Sequence, residues 1–129
     1  MRYLGIDFGL KKIGLALGDS ETKISSPIET VVNTEMIFDE LAELVKKEGV
    51  DQIVIGAPLE VGKFHDGEQL RITQEFSAEL RSKLGIEVHE VDESFTTAES
   101  KRLQKEEGSR APEDSLAAML ILQSFLDLM

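Results

Sequence analysis

Apolar and small or polar residues alternate at the start of the chain, where residues 3–19 read YLGIDFGLKKIGLALGD. A period of two is typical of β-strands, because successive side chains point to opposite faces. It puts Leu4 and Ile6 on one face of the first strand and Gly5 and Asp7 on the other. The stretch therefore predicts two short strands joined by a glycine turn, with a carboxylate near the end of the first.

The remaining pattern predicts strands and helices in alternation, and a continuous apolar run such as DQIVIGA is typical of a strand covered on both faces. The expected elements are a strand at 23–32, a helix capped by Asn33 or Thr34 and ending before Gly49, a strand at 51–57, a helix at 68–84, a strand at 86–91, a helix from Thr96 and a last helix from Pro112 to Leu128. Strand–helix–strand units imply parallel pairing, whereas the first three strands are close enough for an antiparallel meander. We expect one domain over residues 1–129, an α/β fold with a mixed five-stranded sheet and helices on both faces.

The first turn combines groups that could hold a metal ion or a phosphate. A charge on an apolar strand is costly when it is unpaired, so Asp7 needs a partner. Gly9 suits a turn with positive φ, and Gly14 leaves room for a close approach to the backbone. Lys11 and Lys12 follow directly. The ordinary alternative is a hairpin in which Asp7 caps its own turn.

Further acids are expected at the same edge of the sheet, because sites in such folds form at the carboxyl ends of parallel strands. Asp92 and Glu93 follow the last strand and point to opposite faces, so only one of them can face Asp7. Asp114 shares a helical face with Ala118, which must pack on the sheet. Oxygen-only ligands favour Mg²⁺ or Mn²⁺, and two such ions ~4 Å apart support phosphodiester hydrolysis. The alternative explanations are loop charges and complementation of a helix N-terminus.

Composition narrows the class of protein. The chain has 25 acidic and 14 basic residues and a net charge of −11, which argues against non-specific binding of polyanions but allows a local basic patch. It has no cysteine and two histidines, which excludes thiolate metal sites and disfavours a histidine-rich zinc site. We find no signal peptide and no apolar run of ~20 residues, so we expect a cytoplasmic protein without a membrane partner.

Four stretches, taken together and in this order, resemble the YqgF (RuvX) family of resolvase-like nucleases. They are GIDFGLKKIGLALGD at 5–19, IVIGAP at 53–58, VDESFTT at 91–97 and EDSLAAMLILQSFLD at 113–127. The resemblance implies an RNase H-like fold, and with the order of elements it leads us to expect the sheet order 3-2-1-4-5. It also implies cleavage of nucleic acid with Mg²⁺ or Mn²⁺. The roles that it implies are processing of the 5′ end of precursor 16S rRNA and, by analogy with RuvC, resolution of Holliday junctions.

When the motifs are matched residue by residue, the resemblance places the catalytic and metal-binding acids on Asp7, Glu93 and Asp114. It places the lysine that follows the family's first glycine turn, a substrate contact, on Lys11. We expect Lys12 and Arg110 to contact substrate as well. The chain departs from the family pattern in three places where a nucleic-acid backbone would run. Ser94 replaces an arginine, the loop at 105–113 is acidic, and the loop after Pro58 differs in its spacing.

These departures and the net charge favour a structured RNA in a ribosomal precursor particle over a four-way DNA junction as substrate. A junction resolvase needs a broad basic surface, because phosphate contacts supply most of its affinity, and it normally acts as a dimer. We expect a monomer or a weak homodimer. Two other functions stay open: binding of a nucleotide, as in the related folds of actin and sugar kinases, and a non-catalytic module that binds a ribosome-associated partner.

Overall fold

The computed structural model describes residues 1–57, 67–92 and 113–129, with side chains from residue 115 onward in the last stretch. The strands are β1 (Arg2–Asp7), β2 (Lys12–Asp19), β3 (Ile24–Val32), β4 (Gln52–Ala57) and β5 (Glu87–Asp92). The helices are α1 (Ile37–Glu48), α2 (Gly67–Leu84) and α3 (Glu113–Asp127). Within these residues no helix is long and apolar enough to cross a membrane.

The five strands form one mixed sheet in the order β3-β2-β1-β4-β5, which confirms the predicted order. β1 lies at the centre, antiparallel to β2 and parallel to β4. β5 is parallel to β4 and forms one edge, and β3 is antiparallel to β2 and forms the other. The carboxyl ends of the parallel strands β1, β4 and β5 therefore lie side by side at one end of the sheet, called here the carboxyl edge.

Each face of the sheet carries its own apolar core, as the alternation in β1 predicts. On one face Leu4 and Ile6 pack with residues of α1 and α2, including Leu41 and Leu80. On the other face Tyr3, Ala16 and Val54 pack against the buried side of α3, formed by Ala118, Ile121, Leu122 and Leu126. Helices cover both faces, as expected.

The start of α1 differs from the prediction. Neither Asn33 nor Thr34 caps the helix, whose N-cap is Met36 and has no side-chain cap hydrogen bond. Thr34 Oγ1 instead accepts the Met36 N–H at 3.2 Å, and the Asn33 side chain donates to the Gly9 carbonyl at 3.0 Å. The helix begins later because both polar side chains are used in the connection that precedes it. Its end agrees with the prediction, since Gly49 has a φ of 64°.

Two predicted elements lie outside the described residues: the helix from Thr96 and the helix start at Pro112. The loops expected after Pro58 and at 105–111 lie outside them as well.

Gly5 allows α3 to lie almost directly on the central strand. A Cβ atom at this position would be 2.8 Å from Leu122 Cβ and 2.9 Å from the Ala118 carbonyl oxygen. Gly18, opposite Tyr3 on β2, is equally crowded, because a Cβ there would be 2.9 Å from Leu122 Cδ2. Small residues on the strands therefore set the distance between α3 and the sheet.

We expect Gly5→Ala to lower the free energy of unfolding by about 1–3 kcal/mol, because the added methyl group forces the helix backbone away from the sheet. Chemical denaturation of the purified protein measures this. Gly67→Ala is the matched control: nothing lies within 4 Å of its Cβ position at the start of α2, so its effect should be within about 0.5 kcal/mol. Equal stability of Gly5→Ala and the wild type would contradict the close packing.

Candidate active site

Asp7 is the last residue of β1 and lies half-buried at the edge where the parallel strands end. Its side chain points to the α3 face, because Tyr3 and Gly5 on the same side of β1 contact that helix. Asp7 pairs in register with Gly14 of β2 and Gly56 of β4. The carboxylate is therefore flanked on its own face by two positions that carry no side chain.

The N-terminus of α3 reaches the same row of residues. Thr30 of β3 lies opposite Gly14, and its Oγ1 is 2.9 Å from the hydroxyl of Ser115 in the first turn of α3. At the other end of the helix, the ring of Phe125 lies 5.3 Å from that of Tyr3 at the start of β1. The helix thus runs antiparallel to β1 and presents its positive dipole end to the edge that holds Asp7.

The other predicted acids are only partly located. Asp92 ends β5 and pairs with Ala57, one residue beyond Gly56, so it lies on the opposite face of the sheet from Asp7. Glu93 follows it and lies outside the described residues. Asp114 belongs to the first turn of α3, and its side chain lies outside them too. The structure therefore brings together the ends of β1, β5 and α3, and the convergence of Asp7, Glu93 and Asp114 stays a prediction.

The turn after β1 differs from the expectation in one respect. Gly9 does not have a positive φ; a Cβ atom there would overlap the carbonyl oxygen of Lys12. The Asn33 side chain donates to the Gly9 carbonyl, and the Asn33 backbone N–H donates to the Lys11 carbonyl at 2.8 Å. These contacts fix the turn, and Lys11 and Lys12 are exposed on it. Arg110, the third predicted substrate contact, lies outside the described residues.

Sequence reasoning missed part of this arrangement. The role of Gly56 beside Asp7 could have been found from the sequence, because a glycine inside a buried strand often marks a site where a ligand or another backbone approaches closely. The Thr30–Ser115 hydrogen bond has no sequence signal, since the two residues are separated by 85 positions and Thr30 lies outside the four stretches that carry the resemblance.

The local chemistry fits a hard divalent cation. Oxygen ligands are what Mg²⁺ and Mn²⁺ prefer, and the glycines beside Asp7 leave space that larger side chains would fill. Among residues 1–57, 67–92 and 115–129, no group of three or more histidine, aspartate or glutamate side chains could hold a metal ion.

Solved structures show which class of fold this is. The chain resembles Thermus thermophilus RuvC in complex with a Holliday junction substrate, with a TM-score of 0.65, 12% identity and coverage of 99% of this chain and 95% of that one. It also resembles fowlpox virus resolvase in complex with Holliday junction DNA, with a TM-score of 0.61, 12% identity and coverage of 99% and 98%. The fold is the RNase H-like fold of the resolvases.

The family follows from sequence. The family model described as "RuvX: Holliday junction resolvase" matches residues 1–128, and the chain belongs to this family. A relative from Sulfurihydrogenibium sp. is 41% identical over 98% of this chain and 90% of its own length. One from Anaplasma marginale is 37% identical over 98% and 85%. Both are named "Putative pre-16S rRNA nuclease".

We expect Thr30→Val to lower the free energy of unfolding by about 1–3 kcal/mol, because it removes a hydrogen-bond partner from the Ser115 hydroxyl, which is 1% exposed. The double variant Thr30→Val/Ser115→Ala should recover part of the loss, since both polar partners are then gone. Thr22→Val is the control: it removes a hydroxyl that accepts only a long, exposed hydrogen bond from the Ile24 N–H at 3.4 Å, so it should change stability little. If the loss in the double variant equals the sum of the losses in Thr30→Val and in Ser115→Ala, the bond does not couple β3 to α3.

Proposed function

We propose that this chain is a divalent-metal-dependent nuclease that processes precursor 16S rRNA, with Asp7, Glu93 and Asp114 as its metal-binding catalytic acids. One observation supports it most: a half-buried carboxylate between two glycines, at the edge where β1, β5 and the N-terminus of α3 meet. Bound Mg²⁺ or Mn²⁺ would supply an activated water and stabilise the leaving oxygen.

The residues of the chain itself have distinct tasks in this proposal. Asp7 supplies oxygen ligands from a strand that is fixed on both sides by hydrogen-bonded neighbours, so its position is rigid. Gly14 and Gly56 leave room for the ion and for a phosphate oxygen beside it. Lys11 and Lys12 lie on the exposed turn within four and five positions of Asp7 and neutralise the approaching phosphate backbone.

Two observations favour precursor rRNA as the substrate. The names of the relatives specify it. The charge of the chain agrees, because 25 acidic residues against 14 basic ones leave little surface for holding a large polyanion alone. A processing nuclease can gain affinity from the proteins of a precursor particle. The second candidate is Holliday junction resolution, which is favoured by the description of the family and by the fold shared with RuvC.

We expect Asp7→Asn to lower metal-dependent cleavage of precursor RNA by more than about a hundredfold, since losing even an outer-shell partner of a metal typically costs 10–100-fold. Calorimetry with Mn²⁺ should show weakened or absent binding, whereas the circular dichroism spectrum should be unchanged. Asp127→Asn is the matched control, because it removes the same charge at the other end of α3 and keeps an acceptor for Gln123. Full cleavage by Asp7→Asn would assign the activity to other residues or to a contaminant.

Substrate choice is tested by titrating labelled precursor RNA and a labelled four-way junction at matched, near-physiological salt. We expect binding of the naked junction to be weak and to fall steeply with added salt, as phosphate contacts do. Cleavage should be selective for the RNA and stronger in a precursor particle. Tight, junction-selective binding with symmetric cuts by the isolated protein would establish the resolvase instead.

A further inference from the structure

A surface cavity of about 280 Å³ lies between the turn after β1 and the start of α2, at the end of β1 that carries Asp7. Its walls come from the turn after β1 and from the first two turns of α2. The lining residues are Phe8, Gly9, Leu10, Glu68, Gln69 and Ile72. Phe8 follows Asp7 in the chain and packs on the α2 side of the sheet, whereas Asp7 faces α3, so the cavity and the acid lie on opposite sides of the same end of β1. Pockets for drug-sized ligands have volumes of about 300–1,000 Å³, so this slightly smaller cavity suits a smaller group.

The walls offer apolar surface for a flat ring. Leu10 is 72% exposed at the tip of the turn, so its apolar side chain is accessible to a bound ring. The ring of Phe8 is held in place by Phe76, with centroids 4.6 Å apart, and Phe76 in turn packs against Phe38 at 5.2 Å. Phe8 therefore presents a pre-positioned aromatic surface whose ordering cost has already been met by folding.

The rim of the cavity is polar and carries an exposed carboxylate. Arg71 donates to Glu68 at 2.7 Å and to Glu75 at 2.6 Å, in exposed ion pairs along α2. Hydrogen bonding to Glu68, followed by the charges of Glu68 and Glu75, raises the pKa of Arg71, which stays protonated. A carboxylate at the rim repels phosphate but accepts hydrogen bonds from amino and imino groups. The cavity thus suits an uncharged ring with N–H groups on its edge.

We propose that this cavity binds one unpaired nucleobase of the RNA strand, adjacent to the nucleotide whose phosphate lies at Asp7. The base stacks against Phe8 and Leu10 and directs its hydrogen-bonding edge toward Glu68 and Gln69. This assignment rests on the proposed nuclease function and adds a substrate class to it. A paired base cannot leave its helix without an energetic cost, so the cavity selects RNA that is single-stranded next to the cut.

The test uses the full chain without divalent metal, so that RNA is bound and not cleaved. The probes are a short single-stranded RNA of mixed sequence and a series of the same RNA with one abasic position at a time. Stacking of one base supports an effect of about tenfold, so Leu10→Ala should weaken binding of the intact RNA about tenfold. It should have no effect on the RNA that is abasic at the bound position. Leu128→Ala is the matched control, because Leu128 is 88% exposed at the end of the chain.

A second readout does not depend on any variant or on cleavage. In methyl-labelled protein, the NMR signals of Leu10 and Ile72 should shift with the intact RNA and not with the RNA that is abasic at that position. Equal shifts with both RNAs, no shift with either, or an equal loss of affinity for both in Leu10→Ala would overturn the base cavity.

The two proposals fail separately. Cleavage of precursor RNA that is indifferent to every abasic position overturns the cavity and leaves the nuclease. Base-dependent shifts and binding in a protein that never cleaves RNA with Mg²⁺ or Mn²⁺ overturn the nuclease and support the cavity.

Discussion

The contact between α3 and the central strand is the constraint on which the candidate site depends. Gly5 and Gly18 lack the side chains that would hold the helix away, and Ala118 and Leu122 occupy the space this leaves. Glycine by itself weakens a strand, so its presence at the centre of a buried sheet is explained by the close packing of α3 that it permits. That packing determines where the first turn of α3 lies, and the hydrogen bond between the hydroxyls of Ser115 and Thr30 links this turn to the edge strand β3.

The end of the sheet that holds Asp7 has a charged side and an apolar side. A carboxylate in a partly buried position needs compensation, either from hydrogen bonds or from a cation. The same edge carries exposed lysines on the turn after β1 and the positive end of the α3 dipole. On the other side of this turn, aromatic packing of Phe8 on Phe76 supports an apolar cavity. The two faces thus differ in chemistry at this end of the sheet, ionic on the α3 side and apolar on the α2 side.

The acidic composition limits how strongly this protein can attract nucleic acid through charge alone. A protein with a net charge of −11 has a weak general attraction for nucleic acid, so local contacts must supply its selectivity. Specific recognition of RNA is achieved mainly at unpaired bases that stack and expose their edges. In the proposed function, such contacts and the proteins of a precursor particle supply the affinity, whereas a resolvase holds a whole junction through its phosphates.

Much of the fold could be predicted from the sequence, because it follows from local regularities. The alternation in residues 3–8 determines which side chains of β1 lie on each face, and the apolar run at 53–57 identifies the strand buried on both. The order β3-β2-β1-β4-β5 is predicted from the order of elements together with the family resemblance, and the close connections of the first three strands agree with an antiparallel meander. Asp7 at a strand end is visible in the same pattern.

Only the tertiary structure decided what surrounds that acid. The flanking of Asp7 by Gly14 and Gly56 is a consequence of register, which a one-residue slip would abolish. The true start of α1 was set by competing side-chain bonds of Asn33 and Thr34, which local preference cannot rank. The cavity beside Phe8 and the bond between Thr30 and Ser115 join residues far apart in the chain. Such contacts leave no local pattern, because their partners are chosen by the packing of whole elements and not by neighbours in sequence.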